Sequence, residues 1–341
     1  MRPMTGSRDS IQPEGAARFS IDHTFQASGD QFADDTRRGL RATPKILLPH
    51  YFYDALGSAL FAAICELPEY YLTRAETEIL QTHGGDIAMR MGTPSRLIEL
   101  GSGSARKTRL LIHALLDRAP HLEFVPVDVD AGVLTMSSSE LLTEFPALTI
   151  HAICGDFRDP GVTLSRLDRI PGRTAILFLG SSIGNLDLDQ AESMLISLRE
   201  ALQPGDSLFL GADRRKSAAI LEPAYDDALG VTAAFNRNLL VRMNRELGAN
   251  FDLHSFAHRA FFNAARSRVE MHLVSTSAQR VRLDTLDIDI EFREGETIHT
   301  ENSYKYDDDA LAMLAARAGF TLDARWQDSN GWFTDLLLVA A

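Results

Sequence analysis

An acidic residue and two glycines lie where one apolar run of the chain passes into a helical pattern. Glu99 precedes Gly101 by two residues, and Gly103 follows shortly before a helix predicted from about Ala105. Glycines at such a point let the backbone turn sharply and let a ligand come close. A carboxylate there suits a cationic ligand, such as the methionine part of S-adenosylmethionine. The loop therefore favours a methyl-donor site, with Glu99, Gly101 and Gly103 as candidate contacts.

Two other nucleotide-binding loops fit the same glycines less well. A dinucleotide-binding loop needs a third glycine where Arg106 stands, and a phosphate-binding loop needs a glycine at that same position. Lys107 follows directly and is one of only four lysines in the chain, so it is a further candidate, although it also suits the first turn of a helix. Other nucleotide folds, and a turn without a ligand, stay open at this point.

Polar residues also follow the next three apolar runs. Asp128 ends the run VPVD and suits the two ribose hydroxyls of a nucleoside, while Asp130 is the alternate or a helix cap. Asp156 and Phe157 follow in CGDF, where they suit the amino group and the ring of adenine, although Asp156 also fits a turn. Asn185 in SSIGNL falls where a substrate would meet the donor, or it caps a helix.

These residues need a sheet that brings them to one edge. Five apolar runs alternate with helical segments, at 96–101, 123–128, 148–153, 174–180 and 206–213. Such runs predict parallel strands covered by helices on both faces, in a doubly wound sheet. A helix and two strands joined by Asp-Ser-Asn-Gly end the chain and predict a terminal hairpin. The fold class is therefore α/β, with the seven-stranded Rossmann-like sheet of class I S-adenosylmethionine-dependent methyltransferases.

Composition narrows the class further. The chain has 341 residues and a net charge of −13, which argues against binding to nucleic-acid phosphates. No apolar run is long enough for a membrane helix, no signal peptide is visible, and two cysteines cannot form a disulfide scaffold. We expect a cytoplasmic protein that does not associate with a membrane. The ten histidines show no metal-ligand spacing, so no metal is predicted.

Several segments together resemble the histidine-specific methyltransferase family, whose members make hercynine in ergothioneine biosynthesis. They run from about residue 40 to 307 and include LPEYYLTRAE, ELGSGSARKTRLL, FLGSSIGNL, AYDDALGVTAAFNRN and TENSYKY. The resemblance implies a two-domain enzyme that uses S-adenosylmethionine to trimethylate the α-amino group of L-histidine. Leu72 stands where the family usually has proline, which puts the geometry of that loop in doubt.

The resemblance also implies residue roles. In the donor site it places Gly101, Lys107, Asp128, Asp156 and Phe157, beside Glu99 and Gly103 from the loop pattern. In the histidine site it implies contacts from Tyr70, Asn185, Tyr225, Met271, Glu301 and Ser303, with Tyr53 lining the same pocket; Asn185 and Tyr53 are the catalytic candidates. Taken alone, the tyrosine pair at 70–71 is more typical of a core, and Glu301 of a solvated face.

The expected chemistry is simple. Glu301 and Ser303 are two residues apart on one extended face, so they can engage the two imidazole nitrogens. Methyl transfer is a direct in-line displacement in which the protein mainly aligns the reactants, and the group that accepts the amine proton stays unassigned. Methylation of another amino acid such as tryptophan, or binding without catalysis, are the alternatives.

The domain prediction follows the break in the pattern at 214–303. Residues 1–33 are expected to form a flexible tail. Residues 34–78 with 214–303 are expected to form the substrate-binding domain, and 79–213 with 304–341 the methyltransferase domain. We expect a monomer.

Overall fold

The five apolar runs form five parallel strands at the centre of the computed structural model, which describes residues 18–23, 29–158, 160–164 and 167–341. In chain order the strands β1 to β14 of the described residues are Phe19–His23, Lys45–Ile46, Arg96–Leu100, Leu122–Asp128, Leu148–Cys154, Thr174–Phe178, Ser207–Asp213, Phe256–Asn263, Arg268–Ser275, Gln279–Leu283, Ile288–Phe292, Thr297–Tyr304, Phe320–Gln327 and Phe333–Ala340.

The large sheet has the strand order β1-β5-β4-β3-β6-β7-β14-β13. The five central strands of this order, from β5 through β4, β3 and β6 to β7, are parallel. Strands β14 and β13 close the sheet as the predicted antiparallel hairpin. Strand β3 pairs with β4 on one side and with β6 on the other. The direction in which successive strands are added to the sheet therefore reverses at β3. Ligands bind at the carboxyl ends of the strands at such a reversal. The predicted seven-stranded sheet is confirmed, with β1 as an additional edge strand.

Helices cover both faces of this sheet. In chain order the helices α1 to α10 of the described residues are Gly29–Arg41, Ala55–Ile64, Tyr71–Met91, Thr108–Leu116, Ala131–Glu144, Pro160–Leu164, Leu188–Ala201, Ala218–Leu221, Val231–Leu247 and Asp308–Arg317. Alternate residues of the strands enter two separate cores: Leu97 and Phe124 pack on the side of α3 and α4, whereas Ile98 and Val125 pack on the side of α7 and α10. Burial of both faces explains why these strands read as continuous apolar runs.

The predicted tail of residues 1–33 is wrong at its C-terminal end. Phe19–His23 forms β1, which pairs in parallel with β5, and α1 begins at Gly29. Strand β1 lies at the edge of the sheet, where only one side of the strand meets a neighbour. It carries polar side chains and forms no continuous apolar run, so a hydropathy pattern does not reveal its pairing. Residues 1–17 and 24–28 lie outside the described part of the chain.

A second, smaller sheet is built mainly from the segment that broke the α/β pattern, with β2 added from the N-terminal part of the chain. Its order is β2-β12-β9-β8, and β10 and β11 form a separate hairpin. Helix α9 packs against β8 and β9 and against α2. The expected start of the methyltransferase domain at residue 79 falls inside α3, which is continuous from Tyr71 to Met91 and packs on β14. That boundary is therefore placed too late in the chain.

Candidate functional site

The glycine loop after β3 is held against the end of β4. The amides of Gly101 and Ser102 donate to the carbonyl of Val127, at 2.8 and 3.1 Å, and the amide of Gly103 donates to Asp128 Oδ2 at 2.9 Å. Gly101 and Gly103 both have positive φ, +70° and +49°, which glycine adopts without strain. The sequence prediction that the glycines and Asp128 share one site at the strand ends is consistent with this loop.

Phe157 follows β5 and packs against the same loop. A Cβ atom on Gly101 would stand 3.3 Å from Phe157 Cε1, so the ring packs directly over the turn. Asp156 beside it is held by Arg158, whose Nε lies 2.9 Å from both carboxylate oxygens. Burial opposes ionisation of Asp156, but the bonds from Arg158 outweigh it and lower the pKa of this carboxyl. An adenine amino group at Asp156 would share the carboxylate with Arg158.

Glu99 is the most telling residue of the loop. Its side chain is buried, Thr108 donates to Oε1, and Oε2 is buried without a hydrogen-bond partner among the described residues. Burial raises the pKa of Glu99 to about 8. A buried carboxylate oxygen without a donor is costly, so this atom fits a cation supplied by a ligand. The residues present therefore suit the cationic methionine end of S-adenosylmethionine.

Lys107 lies beside the loop but is already paired. Its ammonium contacts Glu76, whose fully buried carboxylate also accepts the amide of Gly180 at the end of β6. Burial lowers the pKa of Lys107, but the Glu76 carboxylate outweighs burial and raises it. In the sequence Thr73 and Glu76 resemble a capping box, but α3 begins at Tyr71 without a side-chain cap. Glu76 is thus a site residue that sequence reasoning missed.

Aromatic side chains gather on the other side of the strand ends. Tyr70 lies 6.3 Å from Tyr225 and 6.2 Å from Phe61, and Phe61 lies 5.6 Å from Tyr53, all measured between ring centroids in edge-on arrangements. Burial raises the pKa of Tyr53, and nearby charges that include Glu301 and Asp128 raise it further. Tyr53 therefore lies within electrostatic range of both Asp128 and Glu301.

Strand β12 presents Glu301 and Ser303 on one face. Glu301 pairs across the sheet with Met271 of β9, and Ser303 pairs with Val269, so these residues share the inner face of the small sheet. A β-bulge between His299 and Glu301 shifts the register and turns the His299 side chain to the outer face. The alternation expected for Glu301 and Ser303 is confirmed, and the bulge removes His299 from their face.

Glu301 has an unusual environment for a carboxyl group. It is 9% exposed and has no side-chain hydrogen bond to the described residues. Burial raises its pKa to about 7, and Lys305 opposes this rise with its positive charge. A buried acid of this kind offers an acceptor to a ligand that brings its own N–H group.

Tyr225 and Ser303 form a hydroxyl pair, with 2.8 Å between their oxygens. Lys305 donates to both, and its ammonium also forms a fully buried ion pair with Asp213 at the end of β7. Neither Lys305 nor Asp213 was a candidate from the sequence, although the scarcity of lysine was a signal. Three of the four lysines, at positions 107, 216 and 305, take part in buried or half-buried ion pairs around this site.

Asn185 ends a 3-10 turn, Ser182–Asn185, that follows β6. The residue is half-buried, and its side chain has no hydrogen-bond partner within the described part of the chain. A Cβ atom on Gly184 in this turn would lie 2.9 Å from the carbonyl oxygen of Tyr304, so the turn abuts β12 closely. The turn that carries Asn185 is thus in contact with β7 of the large sheet and with β12 of the small one.

A potential metal-ligand cluster lies on the outer face of the small sheet. One atom each of Glu270, His272 and His299 lie within 4.8 Å of one another. These residues come from neighbouring strands, so sequence spacing could not show them together. Glu270 already accepts from Arg268 and Asn263, at 2.8 and 3.0 Å. These bonds account for the carboxylate without an ion, and the absence of a metal stays a prediction.

The close approach of Phe157 to the loop leads to a matched pair of variants. Gly101→Ala is expected to weaken S-adenosylmethionine binding ~10-fold, because the new Cβ must displace the Phe157 ring and overpacking costs about 1–3 kcal/mol. Gly103→Ala has the same backbone demand, but its Cβ would meet nothing within 4 Å. Isothermal titration of both variants checks this: equal losses would show that backbone strain, and not the Phe157 contact, sets the effect.

Within the described residues, no helix combines the length and the apolar character needed to cross a membrane.

The strand order, the acid-glycine loop after β3 and the acid at the end of β4 define a class I S-adenosylmethionine-dependent methyltransferase. The model of the family described as "Histidine-specific methyltransferase, SAM-dependent" matches residues 32–340, and the chain belongs to this family.

Curated relatives agree with this placement. The chain is 46% identical over 301 residues to a histidine N-alpha-methyltransferase of Mycolicibacterium smegmatis, which covers 88% of this chain and 92% of that protein. It is 45% identical to the protein of the same name from Mycobacterium tuberculosis, with the same coverage. A more distant relative is ergothioneine biosynthesis protein 1 of Schizosaccharomyces pombe, 30% identical over 284 residues, which cover 81% of this chain and 36% of that protein.

Proposed function

We propose that the protein transfers methyl groups from S-adenosylmethionine to the α-amino nitrogen of L-histidine, giving hercynine. The observation that carries the proposal is the buried carboxyl group of Glu301, which has no hydrogen bond from the described residues and lies beside Ser303 on the inner face of the small sheet. A carboxylate and a hydroxyl at this spacing match the two nitrogens of imidazole. The mycobacterial relatives bear the name of this activity, and the fission-yeast relative bears the name of the ergothioneine pathway.

The proposed roles divide between the two sides of the strand ends. Glu99, Gly101, Gly103, Lys107, Asp128, Asp156 and Phe157 bind or shape the donor site. Tyr70, Tyr225, Met271, Glu301 and Ser303 hold the histidine, and Asn185 with Tyr53 position its amine. S-adenosylmethionine supplies an electrophilic methyl group on a sulfonium ion, so the chain mainly has to align the amine with it.

The tyrosines of the site remain phenols at neutral pH. Burial raises the pKa of Tyr53 and of Tyr70 well above the usual range, and the neighbouring acidic groups add to this. They therefore act as hydrogen-bonding hydroxyls and not as phenolate bases. The amine of the substrate histidine must lose its proton before it can attack. The hydroxyl of Tyr53 and the side-chain amide of Asn185 are proposed to orient the neutral amine.

The assay compares all twenty amino acids. Purified protein is incubated with S-adenosylmethionine and each amino acid, and the products are followed by mass spectrometry. Histidine is expected to gain up to three methyl masses, with the trimethylated form accumulating. Methylation of tryptophan or another amino acid instead of histidine would reject the proposed substrate. Binding of donor and histidine without any mass gain would favour a binding protein over an enzyme.

We also propose the division into a methyltransferase part and a substrate-binding part, in which the small sheet supplies Met271, Glu301 and Ser303. The monomeric state and the cytoplasmic location stay predictions.

A further inference from the structure

Lys305 lies behind the hydroxyl groups proposed to contact histidine. Its ammonium lies 2.7 Å from Tyr225 Oη, 2.8 Å from Ser303 Oγ and 2.7 Å from Asp213 Oδ2. The side chains of Lys305 and Asp213 are 0% exposed. An ammonium group has three N–H donors, so these three acceptors use all of them. Lys305 therefore has no donor left for a substrate, and its hydrogen bonds can act on a substrate only through its neighbours.

The hydrogen bonds of the pair determine what it can offer a ligand. Tyr225 and Ser303 each accept a hydrogen bond from Lys305, and one hydroxyl hydrogen lies between their two oxygens. Two hydroxyl groups carry two hydrogens, so a single hydrogen remains outside this network. Among the described residues neither hydroxyl has a further hydrogen-bond partner. The pair must then donate this last hydrogen to something that enters the pocket.

We propose that Lys305, held by Asp213, is a positioning residue that orients the Tyr225–Ser303 pair as a hydrogen-bond donor toward the methyl acceptor. The inference rests on the proposed function, since histidine is the acceptor. Its carboxylate and one imidazole nitrogen are lone-pair acceptors that such a donor can meet. Without Lys305 both hydroxyls could rotate and bond to each other or to water, and the direction of the donor would be lost.

Lys216 provides a matched control for Lys305. Its ammonium contacts the other oxygen of the same carboxylate, Asp213 Oδ1, at 2.5 Å, and donates to the hydroxyl of Tyr71 at 2.7 Å. It makes no hydrogen bond to Tyr225 or Ser303. The two lysines thus share a charge and an ion-pair partner, but only Lys305 touches the hydroxyl pair.

The first experiment measures steady-state kinetics and donor affinity. Lys305→Met is expected to raise the KM for histidine ~30-fold, because hydrogen bonds to a charged group are worth about 1.5–3 kcal/mol. The change in kcat and the change in Kd for S-adenosylmethionine are expected to stay within about threefold, the range of small packing effects. Lys216→Met is expected to change the KM for histidine by less than about threefold. Equal effects of the two lysine variants on this KM would overturn the proposal.

A second experiment leaves the buried ion pair in place, so it can still contradict the proposal where Lys305→Met fails to fold. Tyr225→Phe and Ser303→Ala are made singly and together. If Lys305 holds the two hydroxyls as one unit, the double variant is no more than about threefold worse in KM than the weaker-binding single variant, a clear departure from additivity. Additive losses would contradict the proposal. If the unaltered protein does not methylate histidine, that result instead rejects the proposed function itself.

Discussion

Replacing Glu99 by Gln is expected to weaken binding of S-adenosylmethionine ~100-fold, because removing one partner of a buried charge pair costs about 2–5 kcal/mol. Gln keeps the volume and the acceptor oxygen, and Thr108 can still donate to it. What the variant loses is the negative charge on the buried oxygen that has no donor within the described residues. Isothermal titration with S-adenosylmethionine measures the effect directly.

The pH dependence of donor binding gives a sharper form of this prediction. The pKa of Glu99 in the free protein is about 8, so the carboxyl is mostly protonated at neutral pH. A cation binds to the ionised form, and binding must then release a proton. Affinity is expected to rise as the pH increases from 6 toward 8, by up to about tenfold per pH unit. Glu99→Gln is expected to remove this rise.

Two controls separate the charge pair from a general loss of stability. Methylthioadenosine lacks the cationic methionine end, so its affinity should be the same in the unaltered protein and in Glu99→Gln. Asp335→Asn removes another fully buried carboxyl, on β14 outside the donor loop, that has no hydrogen-bond partner among the described residues. Equal weakening of donor binding by both acid variants would show that Glu99 has no specific role.

The sheet could be predicted because both of its faces are buried. Each parallel strand then reads as a continuous apolar run, and each run ends at the same edge of the sheet. Polar residues near the ends of such runs, such as Glu99, Asp128 and Asn185, can therefore be assigned to one site without any knowledge of long-range contacts. The residues proposed to bind the substrate histidine could be named only from the resemblance, because Glu301 taken alone is more typical of a solvated strand.

The ion pairs could not be predicted because they join distant segments. Glu76 and Lys107 are 31 residues apart, and Asp213 ends a strand of the large sheet whereas Lys305 follows a strand of the small one. The spacing of Thr73 and Glu76 resembles a capping box, but Glu76 instead contacts Lys107 across the site. The bulge in β12 is a similar case: one extra residue turns His299 away from the face of Glu301, and no spacing rule marks the position.

The second large effect is expected at the acceptor side. Glu301→Ala is expected to raise the KM for histidine ~100-fold, since a site built to pair a polar group loses its discrimination when that group goes. The Kd for S-adenosylmethionine should change by less than about threefold, because Glu301 lies on the small sheet and contacts no loop glycine. Steady-state kinetics and titration of the donor measure the two quantities on the same preparation.

Glu270 offers the matched control for Glu301. It lies on the neighbouring strand, opposite Asn302, with its carboxylate on the outer face, where Arg268 and Asn263 bind it. Glu270→Ala removes an acid from the same sheet at nearly the same height, so it reproduces the loss of charge and any general disturbance of the strands. If only the inner face of the small sheet contacts the imidazole ring, Glu270→Ala leaves the KM for histidine within about threefold of its original value. A similar rise in KM from both variants would contradict the assigned role of Glu301, as would an equal loss of donor and histidine affinity in Glu301→Ala.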